Sequence, residues 1–318
     1  MVNLDAIKRL IDIKSFTNLV DDKDLENINV IINNNKEFFN QKRLLPGVIF
    51  IQEIDNKLPK ERSKYGFRVS QPTGVGQWQD TNGIIYDSKL LNYLIAEKNV
   101  IFDADGIVEE IIFLESVPLF QESVEIACNF ISRLLKVDQV DELSTFLMKV
   151  DGLDEKYEGH DYFIRQIYVN HRNNSVKLFL YKETNNNDRV KELVEYIATN
   201  KTSKFWQNAC GIADCCSNRF YDDSTLTGIT IEITPAGISN HVGYNLQPAL
   251  QNPDKYKESS DVIINDALRW EWIPSEYHKN LMEWSSCFGF RNIFIGYQIE
   301  TISNQISSRI IYGNSGLS

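Results

Sequence analysis

Gly228-Ile229-Thr230-Ile231-Glu232-Ile233-Thr234, then Pro235-Ala236-Gly237, then His241-Val242-Gly243-Tyr244-Asn245-Leu246-Gln247, is the stretch that decides how this chain folds. Successive residues of a strand point to opposite faces. Ile229, Ile231 and Ile233 therefore share one face, and Thr230, Glu232 and Thr234 share the other. In the return run, Val242, Tyr244 and Leu246 oppose His241, Gly243, Asn245 and Gln247. Turn residues between two alternating runs predict an antiparallel hairpin.

Four further pairs have the same character. Gly47–Asp55 returns at Lys64–Ser70, and Asn99–Asp103 turns through Ala104-Asp105-Gly106 to return at Ile107–Glu115. Tyr162–Val169 turns through Asn170-His171-Arg172-Asn173-Asn174 to return at Ser175–Tyr181, and Asn292–Glu300 returns at Ile306–Gly313. Helical spacing marks the segments between them: Ser88–Ala96, Phe120–Leu135 with Val140–Lys149, Asp188–Asn208, and Ser259–Trp270 with Ser275–Ser286. Phe120, Val124, Ala127, Cys128, Ile131 and Leu134 form one amphipathic stripe. Leu4, Ile7, Leu10 and Ile11 give a helical start that turns polar by residue 44. The order hairpin, helix, hairpin, helix reads as one structural unit used five times, without an exact sequence repeat.

The aliphatic strand face suits packing under helices. The other face is polar, charged and aromatic. A sheet with one solvated face produces this pattern, and so does a closed barrel whose polar face lines a wet cavity. Interleaved helices favour closure, because each needs a sheet face to bury against.

Composition narrows the function classes. The 318 residues are 42% hydrophobic and 24% charged, enough apolar mass for a sizeable core. A net charge of −11 disfavours nucleic acid and anionic membrane surfaces as partners. Five cysteines, Cys128, Cys210, Cys215, Cys216 and Cys287, have no framework spacing and read as reduced thiols in a cytoplasmic setting. No run is apolar enough to span a bilayer or start a secretory signal. Cys210-x4-Cys215-Cys216 matches no zinc knuckle and reads as buried thiols in a helix-to-loop segment. His160, His171, His241 and His278 form no metal-hydrolase pattern. Gly74-Val75-Gly76 reads as a turn before Trp78 rather than a nucleotide loop, Asp222-Asp223 as a loop, and Trp270-Glu271-Trp272-Ile273-Pro274 as a core anchor.

Five hairpins with helices outside resemble the ABBA prenyltransferases. Residues 173–182 (Asn-Asn-Ser-Val-Lys-Leu-Phe-Leu-Tyr-Lys), Leu226-Thr227-Gly228-Ile229-Thr230-Ile231-Glu232, Ile293-Phe294-Ile295-Gly296-Tyr297 and Ser308-Arg309-Ile310-Ile311-Tyr312 are similar to the cyanobactin-type peptide prenyltransferases of RiPP biosynthesis. The resemblance implies an α+β fold: one ten-stranded antiparallel barrel of five hairpins ringed by helices, a single PT-barrel domain over residues 1–318. It also implies an alkyl-group transferase moving a C5 or C10 allylic group from its diphosphate to a peptide or aromatic acceptor in the lumen.

Such chemistry needs cations for the diphosphate, with Mg²⁺ bridging its oxygens. It needs aromatic faces around the allylic cation and a carboxylate for the acceptor. Arg68, Lys177 and Arg309 are the basic candidates, Phe179, Tyr181, Tyr297 and Tyr312 the shielding aromatics, and Glu53 and Glu232 the carboxylates. Glu53 on the first strand and Arg68 on the next resemble the acceptor acid and diphosphate base of the cyanobactin-type enzymes. Glu53 has the parity of Ile49 and Ile51, and Tyr297 that of Ile293, Ile295 and Ile299. The second return strand, Ile107-Val108-Glu109-Glu110-Ile111-Ile112-Phe113, departs from the family, with acids where a diphosphate base is expected. The alternative is therefore a catalytically inactive barrel homologue serving as a peptide-binding or maturation partner. Ordinary roles compete for each residue: exposed strand positions for Lys and Arg, core packing for Tyr and Phe, and a solvated face for Glu232.

Overall fold

The computed structural model describes residues 22–34, 36, 48–55, 64–71, 77–79, 85–87, 95–103, 106–118, 121–140, 142–156, 162–170, 172–182, 194–195, 197, 204–217, 225–247, 253–269, 271, 294–302 and 305–314. The elements, in chain order, are α1 (Asp22–Asn34), β1 (Val48–Asp55), β2 (Lys64–Gln71), β3 (Gln77–Gln79), β4 (Ile85–Asp87), β5 (Ile95–Asp103) and β6 (Gly106–Pro118). They continue with α2 (Gln121–Leu135), α3 (Leu143–Lys156), β7 (Tyr162–Asn170), β8 (Ser175–Lys182), α4 (Lys204–Ser217), β9 (Thr225–Thr234), β10 (Gly237–Gln247), α5 (Pro253–Arg269), β11 (Phe294–Ile302) and β12 (Gln305–Asn314).

The alternating runs become antiparallel strands that curl into a closed barrel in the order β1-β12-β11-β10-β9-β8-β7-β6-β5-β2. β2 pairs back onto β1, so this sheet has no free edge among the described residues. Closure agrees with the α+β class and with the barrel reading of the two strand faces.

Which face looks outward is fixed by the helices. The Tyr244 hydroxyl on β10 donates to the carbonyl of Ala209 on α4 at 2.7 Å. Tyr244 shares its parity with Val242 and Leu246, which are register partners of Ile231 and Leu226 on β9. Ile229, Ile231, Ile233, Leu178 and Leu180 are all fully buried. This aliphatic face is the core between barrel and helices, each such side chain contributing about 1.5–3 kcal/mol. The helices meet it with their own stripes: Val124, Ala127, Ile131 and Leu134 on α2, and Ile263, Ile264 and Ala267 on α5. On α1, Ile28, Ile31 and Ile32 recur at i, i+3 and i+4 and are buried.

Several elements differ from the sequence reading. Ala96 lies in β5 rather than in a helix, because Ile95 pairs with Leu114 and continues the β6 ladder. Residues 88–94 of that expected helix lie outside the described residues. Cys215 and Cys216 lie within α4, which runs to Ser217 rather than ending near Asn208. Its apolar positions Phe205, Ala209 and Ile212 keep helical spacing and are buried. Trp78 belongs to a small separate hairpin, register partner of Tyr86. The expected helices at Leu4–Ile11 and Ser275–Ser286, the Gly74–Gly76 turn, Asp222-Asp223, Cys287 and three histidines (His160, His171, His278) fall outside the described residues, as does the Trp270–Pro274 anchor apart from Glu271.

Candidate functional site

The site is built by two hairpins and closed by a third. At the β7–β8 turn, Asn170 Oδ1 accepts hydrogen bonds from the backbone N–H groups of Arg172 and Asn173, both at 3.0 Å. Asn174 takes a left-handed φ of 47°, a conformation that asparagine tolerates well. This turn delivers Ser175, Lys177 and Phe179 onto the face opposite Val176, Leu178 and Leu180. At the β9–β10 turn, Gly237 has a φ of 116°, and Thr234 Oγ1 donates to the Gly237 carbonyl and accepts from the Ala236 N–H.

Immediately after that turn the register slips. Ile238 pairs with Ile233 and Val242 with Ile231, so Ser239, Asn240 and His241 together oppose Glu232. Such a bulge re-aims side chains, and here it brings two of them to one carboxylate. Ser239 Oγ donates to Glu232 Oε2 at 3.0 Å, and His241 Nδ1 lies 3.1 Å from the same oxygen. Ser175 Oγ donates to Glu232 Oε1 at 2.8 Å.

The cluster then reaches across the barrel. Lys177 Nζ on β8 donates to Glu300 Oε1 on β11 at 2.9 Å, although two strands lie between them in the sheet. Lys177 Nζ also lies 3.9 Å from Glu109 Oε1 on β6. His241 Nε2 sits 3.5 Å from Glu300 Oε2, an ion contact longer than a good hydrogen bond. Contacts between non-adjacent strands require side chains that project into the lumen. Lys177, His241 and Glu300 are 6%, 3% and 6% exposed, and Glu109 1%. Burial this deep makes their pairing obligatory, since an uncompensated buried charge costs several kcal/mol. The lumen face continues with Phe179, Thr230, Tyr168 and Asn245. Asn245 Nδ2 donates to Thr230 Oγ1 at 3.3 Å, and the Tyr168 hydroxyl donates to Gln166 Oε1 at 2.5 Å.

Electrostatics follow from this packing. Burial acts to raise the Glu232 pKa, but the His241 hydrogen bond and charge, the Ser175 hydrogen bond and Lys177 outweigh it, bringing it down to about 2. Glu232 is therefore an acceptor of hydrogen bonds and a poor base. His241 Nδ1 must carry the proton of their shared bond. Burial favours the neutral ring of His241 and Lys177 repels its charge, yet Glu300 and Glu232 together raise its pKa. The cluster thus gathers the side chains of three glutamates, one lysine and one histidine.

Of the residues singled out in the sequence, Lys177, Phe179 and Glu232 come together on the lumen face. Lys177 is the register partner of Glu232 on one side and of Tyr168 on the other. Glu53 on β1 is the register partner of Arg309 on β12, and Arg309 of Gln298 on β11. Gln298 in turn pairs with Asn245, so this row continues to a lumen-facing residue. Arg68 on β2 pairs with Ile49 and Ile101, and Ile101 pairs with Glu109. Tyr181 is the partner of Gly228. Tyr297 pairs with Leu246 and Tyr312 with Phe50. Leu246 belongs to the helix-facing set, which puts Tyr297 on a different row from Lys177.

Sequence reasoning missed His241, Glu300, Glu109, Tyr168 and both serines. The acids of the second return strand gave a signal for Glu109, now seen as a counter-ion near Lys177. No group of three or more His, Cys, Asp or Glu among the described residues could hold a metal ion. Cys128 and Cys210 are free thiols, and burial, reinforced by Glu125, raises the Cys128 pKa to about 11. Among the described residues no helix is long and apolar enough to cross a membrane.

No protein-family model and no curated protein matches the chain. Among solved structures it is similar to AnaPT from Neosartorya fischeri, with a TM-score of 0.53 and 11% sequence identity over 83% of this chain and 77% of that one. The likeness is one of fold: the chain has the ABBA prenyltransferase fold.

Proposed function

We infer that this chain is a prenyltransferase, a single PT-barrel domain over residues 1–318 with ten barrel strands. It would move a C5 or C10 allylic group from its diphosphate to a peptide or aromatic acceptor inside the lumen. The observation that carries the reading is the buried cation Lys177, held inside a closed barrel of ABBA type and flanked by the aromatic side chains of Tyr168 and Phe179. A barrel needs neither a buried ammonium nor a carboxylate hub for stability, because apolar packing would serve as well or better.

The chemistry divides among the chain's own residues. Lys177, with Arg68 and Arg309 from the β2 and β12 rows, would neutralise the diphosphate as the allylic C–O bond breaks. Phe179, Tyr181 and Tyr168 would shield the cation and keep water from it. Tyr297 and Tyr312, on other rows, would support the wall rather than touch the cation. The acceptor's electron pair forms the new bond to the allylic carbon, and a carboxylate takes the displaced proton. Glu232 is committed to His241, Ser175 and Ser239, which leaves Glu53 for that role. Mg²⁺ would arrive chelated by the diphosphate itself; Glu232, Glu300 and Glu109 face Lys177 or His241, and no cluster among the described residues fits a resident metal. A cyanobactin-type peptide acceptor in a cytoplasmic setting is the narrower version of this reading.

One observation favours the second reading, an inactive homologue that binds or matures a peptide. Lys177 is already neutralised by Glu300 and approached by Glu109. Incubation with dimethylallyl or geranyl diphosphate, Mg²⁺ and a panel of aromatic peptides separates the two. Mass spectrometry should detect an acceptor heavier by one prenyl unit, and its loss in Lys177→Ala. Peptide binding without any transfer, and without donor binding, would favour the second reading.

A further inference from the structure

His241 has no part in the division of labour above, yet it is deeply buried at the centre of the cluster. From β10 it presents one ring nitrogen to Glu232 on β9 and the other toward Glu300 on β11. Lys177 from β8 faces the same Glu300, and Glu109 from β6 stands behind Lys177. The two oxygens of Glu300 are thus divided between two side chains, Oε1 for Lys177 and Oε2 for His241.

This division bears on donor binding. A diphosphate can recruit Lys177 only if the ammonium loosens its hold on Glu300. Leaving that buried carboxylate without a cation would be strongly unfavourable. We propose that His241 is a positioning residue for the donor: it holds Glu300 while Lys177 turns from that carboxylate to the diphosphate, so donor binding and the proton on His241 are linked. The inference rests on the prenyl-transfer reading. It also accounts for the bulge at Ser239–His241, since a regular register would not bring both Ser239 and His241 to Glu232.

Linkage makes the proposal reciprocal. If protonated His241 favours the donor, the donor must raise the pKa of His241 by the same free energy. Each unit of rise corresponds to tenfold in donor affinity. In the free protein burial and the Lys177 charge oppose the imidazolium, and Glu300 and Glu232 raise the His241 pKa against them.

The test follows the His241 ring by NMR of the full chain labelled in histidine. Spectra are taken from about pH 6 to about pH 9, with and without dimethylallyl diphosphate and, separately, geranyl diphosphate, and with no acceptor present. The His241 pKa should rise on donor saturation, and donor affinity should weaken as pH passes it. In His241→Gln the donor KM should rise about tenfold or more, while kcat at saturating donor stays within about twofold. That variant's donor affinity should also lose the pH dependence assigned to His241. Donor binding with no change in the His241 pKa overturns the inference and leaves the prenyl-transfer reading standing. So does an unchanged donor KM in a folded His241→Gln protein. Failure of the wild-type chain to bind either diphosphate overturns both together. If His241→Gln does not fold, the wild-type titration decides alone.

Discussion

The two faces of the wall formed by β8, β9, β10 and β11 are buried to nearly the same degree and held by opposite chemistry. Outside, Ile229, Ile231, Ile233, Leu178 and Leu180 lie against helices. Inside, Lys177, His241 and Glu300 are scarcely more exposed. Burial therefore does not separate core from site here. The outer face gains stability from area removed from water, and its members are interchangeable at the cost of volume. The inner face gains stability only while every charge keeps its partner. Sequence alternation revealed that two faces exist, but only partner chemistry distinguishes what each is for.

The largest expected effect comes from breaking the inner face. Lys177→Ala removes the cation at Glu300 and should destabilise the protein by about 3–5 kcal/mol, besides abolishing transfer. Chemical denaturation checks the first and product formation the second. Lys177→Met in a Glu300→Gln background should recover much of the stability and none of the transfer. On the outer face, Ile231→Ala should cost about 2–4 kcal/mol, while the folded protein keeps its donor affinity. If Ile231→Ala weakened donor binding as much as Lys177→Ala, the two faces would not be functionally distinct.

A close approach gives a third handle on the same wall. A Cβ at Gly228 would stand 2.2 Å from the Leu180 carbonyl oxygen and 3.1 Å from the Phe179 ring. Gly228→Ala should therefore separate β8 from β9 and lower the thermal midpoint by several degrees, roughly the effect of 1–2 kcal/mol. It should also disturb the lumen through Phe179, so stability and donor affinity fall together.

The smallest effect is in pH dependence, and it belongs to the inner face alone. The lowered pKa of Glu232 contributes stability that is present above its ordinary value of 4.5 and is lost as pH falls toward about 2. The raised pKa of His241 contributes stability that is full below its ordinary 6.5 and is lost as pH rises through the folded value. Stability should therefore decline on both sides of the interval between 4.5 and 6.5. His241→Gln should flatten both limbs, and Ile231→Ala should shift the whole curve without changing its shape. Thermal melts across pH distinguish these outcomes.

How much of this was legible in the sequence follows from the length scale of each feature. Period-two alternation is local, so Ile229–Ile233 and Val242–Leu246 declared their common face without a structure. The stripe on α2 did so through its helical period. Lys177, Phe179 and Glu232 were reachable by parity alone. Glu300 was not, because its contact with Lys177 joins residues 123 apart. That contact depends on curvature accumulated over several strands. His241 lay on the polar face, but the slip that brings it and Ser239 to one carboxylate is a register event. No residue type in Ile238-Ser239-Asn240-His241 announces it. The β3–β4 hairpin was too short to show a period, and the start of β5 was set by pairing with β6 rather than by local preference.

The central claim is that the inner face receives an allylic diphosphate through Lys177. Thermal stabilisation by dimethylallyl or geranyl diphosphate with Mg²⁺, measured side by side on the wild-type chain and on Lys177→Met/Glu300→Gln, tests it most directly. The account predicts a clear upward shift in the wild type and none in the double variant. No shift in the wild type at millimolar donor, or equal shifts in both proteins, would contradict it.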